Sequence, residues 1–332
     1  MWLYSVYGLR LESDRPVPGL ASFPRGGGAE TPDVQLWLDS SPEWLNEATR
    51  SESRIRHISN YQDEHGEPAL KAWELAGGVY FLLRYIDGTE FVVNRPGTRI
   101  WATWPETLTL EDTATYLLGP ILGFVLLLRG TICLHASAIA VGDRAIALLG
   151  PAGAGKSTTA AMFARLGNSI LSEDVVPLTD QGNRFLIQPG YPLIRLWPRS
   201  VHALCGAEDA LPLLTPNWDK RYLNLGEGKH QFQQQPLPLT AVYILGERRA
   251  DASAPYIEAV STGKGLITLV ANSYVTYMKD KFMREQEFEV LGRVAASVAL
   301  RTVIPNADIS YLPKLCEAIL GDFHALTASI PT

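Results

Sequence analysis

The stretch "ALLGPAGAGKSTTAAMFARLG" constrains this chain more than any other. Gly150-Pro151-Ala152-Gly153-Ala154-Gly155-Lys156-Ser157 fits the G-x-x-x-x-G-K-[ST] pattern, and Thr158 follows it. An apolar, strand-like run precedes the pattern. A short helical run closed by Gly167 follows it. The unit predicts an α/β core with a phosphate-binding loop. Gly153 and Gly155 permit backbone angles closed to other residues, so that successive N–H groups can face a phosphate. Gly150 and Ala154 complete the cradle. Lys156 supplies a point charge to the β- and γ-phosphates, and Ser157 offers its hydroxyl to Mg²⁺. The helix beginning after the loop adds the positive end of its dipole.

Two acids, Glu173 and Asp174, follow Lys156 by only 17 and 18 positions. One helix and one strand, NSIL, fit in that interval. The strand is expected to lie beside the phosphate-loop strand and to deliver the carboxylates from its C-terminal end. Ligands of open α/β sheets bind at that edge. Phosphoryl transfer needs a metal to neutralise charge and a group to orient or deprotonate the nucleophile. Two adjacent carboxylates suit both tasks; a solvated loop pair or a turn cap is the plainer reading.

The remaining composition narrows the class. The chain has 332 residues, 46% apolar and 19% charged, which fits one large or two ordinary folded domains. A net charge of −6 with no run of Lys and Arg argues against broad nucleic-acid binding. Cys133, Cys205 and Cys316 are far apart and in no metal spacing, so a reduced cytoplasmic setting with buried thiols is expected. The segment MWLYSVYGLRLESDR has no basic start or long apolar region and is not expected to be a signal peptide. YLLGPILGFVLLL, 13 residues from 116 to 128, is shorter than the roughly 20 of a membrane span and reads as a buried helix. No membrane partner is expected.

Residues 1–110 read as a β-rich domain. Aromatic and β-branched runs (WLYSVYGLRLES, VQLWLDS, GVYFLLRYI, EFVVNR, RIWATW) are separated by turn-forming clusters such as PGLASFPRGGGAETPD. His57 and His65 fall in polar stretches and are expected to be solvated. The second domain, 111–332, opens with a helix whose first turn carries Glu111 and Asp112. Strands 131–141 and 144–150 form a hairpin across Gly142-Asp143. Further strands are expected at NSILSED, RFLIQPG, PLIRLW and TAVYILGE, and helices at 261–275, 285–302 and YLPKLCEAILGDF. Residues 199–236 read as helix and loop, and 231–239 as a polar then Pro-rich loop. Ser261 or Thr262 is expected to cap the helix that contains Gly263-Lys264-Gly265.

The order of LHASAIAV, GPAGAGKST and SILSEDVV resembles the catalytic domain of the HPr kinase/phosphorylase family, among the phosphoenolpyruvate-carboxykinase-like kinases. The resemblance covers 130–200 clearly and 130–320 in outline. It implies ATP and Mg²⁺ as cofactors, with Lys156 and Ser157 on the phosphates and the metal. It implies Asp174 as base toward a substrate hydroxyl, Glu173 assisting the metal, and His135 near the phosphates. Taken alone, His135 in an apolar strand reads more simply as a core histidine. The resemblance also implies a homo-oligomer, since family members often assemble as rings.

The chain departs from the family after the carboxylate pair, where it has QPGYPLIRLWPRS and no acid between Asp180 and Glu208. That removes the basis for expecting the reverse, phosphorolytic reaction. Arg195 remains to meet phosphate. Within Asp219-Lys220-Arg221, expected in a mid-chain loop, the Lys220-Arg221 pair is a candidate clamp for the transferring group or an acidic substrate end, with Arg221 stabilising charge, or else part of a solvated triplet. The divergence is similar to HPr-kinase-like proteins of peptide natural-product clusters, some of which phosphorylate a C-terminal serine of a lasso-peptide precursor. The expected activity is therefore phosphoryl transfer from ATP to a serine hydroxyl of a peptide or protein. A small-molecule kinase on the same core and a non-catalytic, nucleotide-gated peptide-binding module are the alternatives.

Overall fold

A computed structural model describes residues 1–23, 31–45, 47, 49, 53–251 and 253–328. The glycine-rich part of the expected loop, 24–30, lies outside the described residues. Contacts divide the chain into two compact units. One comprises Met1–Thr131, Thr215–Asn217 and Val275–Lys281; the other comprises Ile132–Leu214, Trp218–Tyr274 and Phe282–Thr332.

Among the described residues the first unit carries β1 (Trp2–Val6), β2 (Leu9–Ser13), β3 (Val34–Leu38), β4 (Ser53–Ile58), β5 (Leu70–Leu75), β6 (Tyr80–Tyr85), β7 (Glu90–Asn94) and β8 (Arg99–Thr103). They form one sheet in the order β1-β2-β3-β8-β7-β6-β5-β4. WLYSVYGLRLES is a hairpin rather than one strand, because Tyr7 and Gly8 turn the chain at φ 59° and 79°. β4 and β5 were not expected: SRIRHI and LKAWEL carry too many charged residues for a simple strand signal. His57 is consequently not in a solvated loop. It lies on β4, half-buried, with its ring 4.6 Å from that of Tyr277, and burial lowers its pKa. His65 is exposed in a turn, as expected.

The apolar helix begins at Leu110 and runs through a π-helical segment, Leu117–Ile121, to Leu128. Thr109 and Asp112 form a reciprocal capping box at its start. Pro120 cannot donate a helical hydrogen bond, and the wider turn falls around it. Among the described residues this is the one helix long and apolar enough to cross a membrane, and 78% of its most apolar window is buried in the protein. Phe124 meets Phe81 edge to face at 5.0 Å, and Tyr116 stacks on Tyr85 at 3.8 Å. The Tyr7 hydroxyl donates to the Leu118 carbonyl at 2.8 Å. Fully burying a large side chain, as at Tyr7 and Phe124, contributes about 1.5–3 kcal/mol. The helix therefore groups with the first unit, and the break expected at 110/111 falls after Thr131 by contacts.

The second unit begins with β9 (Ile132–Val141) and β10 (Arg144–Leu149), an antiparallel hairpin turned at Gly142. There follow β11 (Ile170–Asp180), β12 (Phe185–Ile187), β13 (Leu193–Leu196), β14 (Leu213–Thr215), β15 (Trp218–Asn224), β16 (Leu237–Leu245), β17 (Tyr256–Ala259) and β18 (Ala299–Ile304). The main sheet has the order β10-β9-β11-β12-β16-β18-β17, and β10 also pairs with β16 in parallel. Helices Lys156–Arg165, Thr262–Ala271, Lys281–Ser297 and Leu312–Ala328 alternate with these strands, which makes the unit α/β. β10 is buried on both sides. Ile146 and Leu148 join a core with Phe163 and Ile319, whereas Ala145, Ala147 and Leu149 join one with Leu269 and Leu291. That two-sided burial explains its uninterrupted apolar run.

Several local expectations change. The helix expected over 285–302 ends at Ser297, and ALRTVI forms β18 in the sheet interior. The 199–236 segment contains β15, paired antiparallel with β13. The loop expected at 231–239 becomes strand from Leu237. Ser261 occupies the N-cap position but makes no side-chain cap bond. Cys133 and Cys316 are buried, but Cys205 is exposed at the end of helix Pro198–Cys205.

Candidate active site

All parts of the site belong to the second unit. The loop between β10 and helix Lys156–Arg165 has Gly150, Gly153 and Gly155 at φ 151°, 80° and 105°. A Cβ on Gly150 would stand 3.2 Å from both the Ala154 Cβ and the Leu245 carbonyl oxygen. The loop's shape thus depends on glycine. Lys156 is buried, and its ammonium donates to the carbonyls of Gly150 and Pro151 at 2.7 and 3.2 Å. Burial lowers its pKa, with Asp174 and Glu173 opposing. Thr158 donates to the Ser200 hydroxyl at 2.9 Å, tying the loop helix to helix Pro198–Cys205. At its far end the loop helix closes in a Schellman pattern, with Asn168 and Gly167 donating to the Phe163 and Ala164 carbonyls at 3.0 and 3.1 Å.

The carboxylate strand reaches this loop by a different route from the one expected. β11 does not lie beside β10; β9 stands between them, antiparallel to both. Nor are the acids at a strand end. Asp174 pairs with Ala136 in the middle of β11, and Ala136 pairs with Leu149 at the end of β10. The pair is thus level with the loop across one intervening strand. Adjacent residues of a regular strand point to opposite faces. Here the register shifts between Ile170 and Ser172, and Asp174 takes a left-handed φ of 69°. The buried Ser172 hydroxyl braces the irregularity by donating to the Val175 carbonyl at 2.5 Å. Both carboxylates consequently line one cavity of about 700 Å³ together with Lys156 and Ser157. Aspartate is among the few side chains that tolerate this backbone region.

The two acids have opposite surroundings. Ser157 donates to Glu173 Oε1 at 2.6 Å, whereas buried Oε2 has no hydrogen-bond partner and lies 3.8 Å from Arg195. Burial, then the neighbouring Asp174 charge, raise the Glu173 pKa. Asp174 is half-buried, and Arg195, His135, the Tyr274 hydroxyl and Lys220 outweigh the desolvation cost and hold it below the ordinary carboxylate value. Arg195 and Tyr274 donate to Asp174 Oδ2 at 2.7 and 2.9 Å. His135 Nε2 lies 3.4 Å from Oδ1. Burial, with Lys156, Arg195 and Lys220 around it, lowers the His135 pKa against the pull of Asp174, so the imidazole is neutral at neutral pH.

Lys156, Ser157, Glu173, Asp174, His135 and Arg195 therefore come together, but Arg221 does not. Arg195 and Tyr222 pair across β13 and β15, so they share a face, and Lys220, two residues before Tyr222, shares it too. Arg221 pairs with Leu196 on the other face and donates to the Leu211 carbonyl at 3.2 Å. Lys220 lines the cavity in its place. Alternation along WDKRYLN could have separated the two cations had the segment been read as strand. Tyr274 also escaped notice: it lies just past a helix, 100 residues from Asp174, with no local motif.

The donor set fits a hard divalent cation held mainly by a ligand's phosphates. Glu173 presents a buried oxygen without a hydrogen-bond partner, next to the Ser157 hydroxyl. Among the described residues no cluster of three or more His, Cys, Asp or Glu could hold a metal alone. Mg²⁺ binds in this manner, through one or two protein oxygens and substrate phosphates.

No protein-family model and no curated protein matches the chain. Among solved structures it is similar to the Hpr(Ser) kinase/phosphatase from Coxiella burnetii, with 13% identity and a TM-score of 0.32, over 59% of this chain and 99% of that one.

Proposed function

We propose that this chain is an ATP- and Mg²⁺-dependent kinase that phosphorylates a serine hydroxyl of a peptide or protein. One observation carries the reading: a carboxylate held ionised and a second carboxylate bonded to the loop serine line the same cavity as the phosphate loop. Glu173 and Ser157 would hold Mg²⁺, which neutralises phosphate charge when bound. Lys156 and the loop amides hold the β- and γ-phosphates. Asp174 orients the acceptor hydroxyl and takes its proton as the new P–O bond forms and the bond to the β-phosphate oxygen breaks, releasing ADP. Its lowered pKa suits an orienting group that accepts the proton late, because a strong base would be poised nearer neutrality. Serine as the acceptor follows the family resemblance of the motifs, and a cytoplasmic setting follows the free thiols.

The test is incubation with γ-labelled ATP, Mg²⁺ and a panel of serine-containing peptides, an HPr protein and free serine. Label should pass to a peptide or protein, and Asp174→Asn should slow transfer by about 10²–10⁴-fold while ATP still binds. Unchanged transfer in that variant would remove Asp174 from the mechanism. Label on free serine alone would make the enzyme a small-molecule kinase, and ATP binding without transfer to any acceptor would favour a binding module.

A further inference from the structure

One end of the first unit's sheet holds a cluster of guanidiniums that the proposed chemistry does not use. Arg54 and Arg56 lie on β4, and Arg95 directly follows β7. All three converge on one carboxylate, Glu74 of β5. Arg54 donates to Glu74 Oε2 through Nη2 and Nε, at 2.7 and 3.1 Å. Arg56 and Arg95 approach Oε1 to 3.4 and 3.7 Å. Among the described residues Glu74 is the one carboxylate within 4.0 Å of any of them. Arginine stays charged at any ordinary pH, so three positive charges face a single negative one. Like charges this close repel, and Glu74 alone does not balance them.

The cluster is nevertheless held in place. The Arg56 side chain is largely buried and donates to the Met278 carbonyl at 2.9 Å. Arg95 lies over the Phe81 ring, 5.0 Å from its centre, and donates to the Gly78 carbonyl. The turn between β5 and β6 is shaped for that approach. Ala76, Gly77 and Gly78 take φ values of 49°, 64° and 89°, and a Cβ on Gly78 would stand 2.7 Å from the Arg95 guanidinium. Guanidiniums fixed in advance lose less freedom when an anion arrives. The route to them is open, since the Arg54 side chain is 72% exposed and that of Arg95 is 48% exposed.

We propose that Arg54, Arg56 and Arg95 form a binding site for a phosphate monoester. Such a group carries roughly −2 charge at neutral pH, which matches the excess left by Glu74. Its oxygens also suit the guanidinium fork, which donates two parallel hydrogen bonds. A carboxylate brings half that charge. The site is built from residues of the first unit alone, whereas the phosphate loop belongs to the second. A phosphorylated peptide, the product under the kinase reading, is one source of the group, and a small phosphorylated molecule is another. The site itself does not depend on that reading.

The experiment uses the full chain saturated with ADP and Mg²⁺, so that the phosphate loop is filled. It is titrated calorimetrically with one hexapeptide carrying phosphoserine, serine or glutamate at the same position, and with glycerol phosphate against glycerol. The phosphorylated form should bind at least about tenfold more tightly than its counterparts, the range of one charge-assisted contact. Arg54→Met and Arg95→Met should each reduce that ratio to about two- to threefold, whereas Lys156→Ala should leave it unchanged. Arg54 is the most exposed of the three, so its variant keeps the test readable should Arg95→Met fold poorly, which thermal melting reports. Glycerol phosphate binding without a phosphopeptide preference, lost in the same variants, upholds the site and assigns it to small molecules. Absence of any preference for the phosphorylated form, in peptide and glycerol alike, overturns the site. So does a preference that survives both arginine variants, or one that disappears in Lys156→Ala. A preference that obeys the arginine variants in a chain transferring no label upholds the site and counts only against the kinase reading.

Discussion

In the phosphate loop, the nine consecutive residues from Gly150 to Thr158 supply the site from their own main chain. Three glycines set the shape, and even the loop lysine rests on loop carbonyls. At the carboxylate strand the backbone only presents Glu173 and Asp174. Their charges are set by Ser157, His135, Arg195, Tyr274 and Lys220, drawn from separate segments of the chain. In the proposed reading the loop holds a phosphate with its own main chain and lysine. The strand acquires its chemistry only when distant side chains converge. Damage to the loop should therefore abolish nucleotide binding, whereas damage to the carboxylate shell should alter titration, stability and turnover separately.

The largest effect expected is from Lys156→Ala, which should lower kcat/KM by about 10³-fold, as for loss of a preorganised charge at the transferring group. It should also weaken ATP in equilibrium titration. Retention of ATP affinity would show that the loop amides suffice. Arg195→Met removes the guanidinium nearest buried Glu173 and half-buried Asp174, and breaking a buried pair of this kind typically costs about 3–5 kcal/mol, an upper figure here because Lys220 remains. Urea unfolding at pH 7 should show that loss. A variant as stable as wild type would mean that the carboxylates protonate or hydrate instead.

Tyr274→Phe removes a hydrogen bond from the ionised form of Asp174, worth roughly tenfold in rate. The bond favours the charged form, so its loss must raise the Asp174 pKa. The acid limb of the pH–rate profile should accordingly move to higher pH. A purely structural role for Tyr274 would lower the rate without moving that limb. The smallest effect is from Glu173→Gln. The Glu173 pKa is raised in the fold, so its contribution to stability is fullest below the unfolded value and declines as pH rises through the folded value. Removing the charge should raise Tm at pH 7 by about 2–4 °C per kcal/mol relieved. The gain should vanish in acid, where the wild-type carboxyl is already neutral, while turnover should fall in keeping with the metal role proposed for Glu173.

This division also explains what could be read in the sequence. GPAGAGKST is local, and so were the loop, its strand and its helix. The acids were visible as a pair, but a two-residue period cannot reveal that Asp174 adopts a left-handed backbone and brings both side chains into one cavity. Placing β9 between β10 and β11 requires knowing which strands pair, since sequence spacing fits direct adjacency equally well. Lys220 and Arg221 could be told apart only through the register of β15 on β13. Charged β4 and β5 were hidden for the opposite reason, because their neighbours rather than their composition make them strands.

The position of β9 bears on the order in which the second unit assembles. Because β9 pairs with β10 on one side and β11 on the other, residues 132–180 form a three-stranded unit whose central strand is fully paired, while the outer edges of β10 and β11 await β16 and β12. Contacts of short sequence separation close with little entropy and tend to form early. Amide protection during refolding reads this order directly. Arg195, Lys220 and Tyr274 all lie after that span, so a nascent chain forms the glycine loop and its carboxylate strand before the side chains that set the carboxylates' charge.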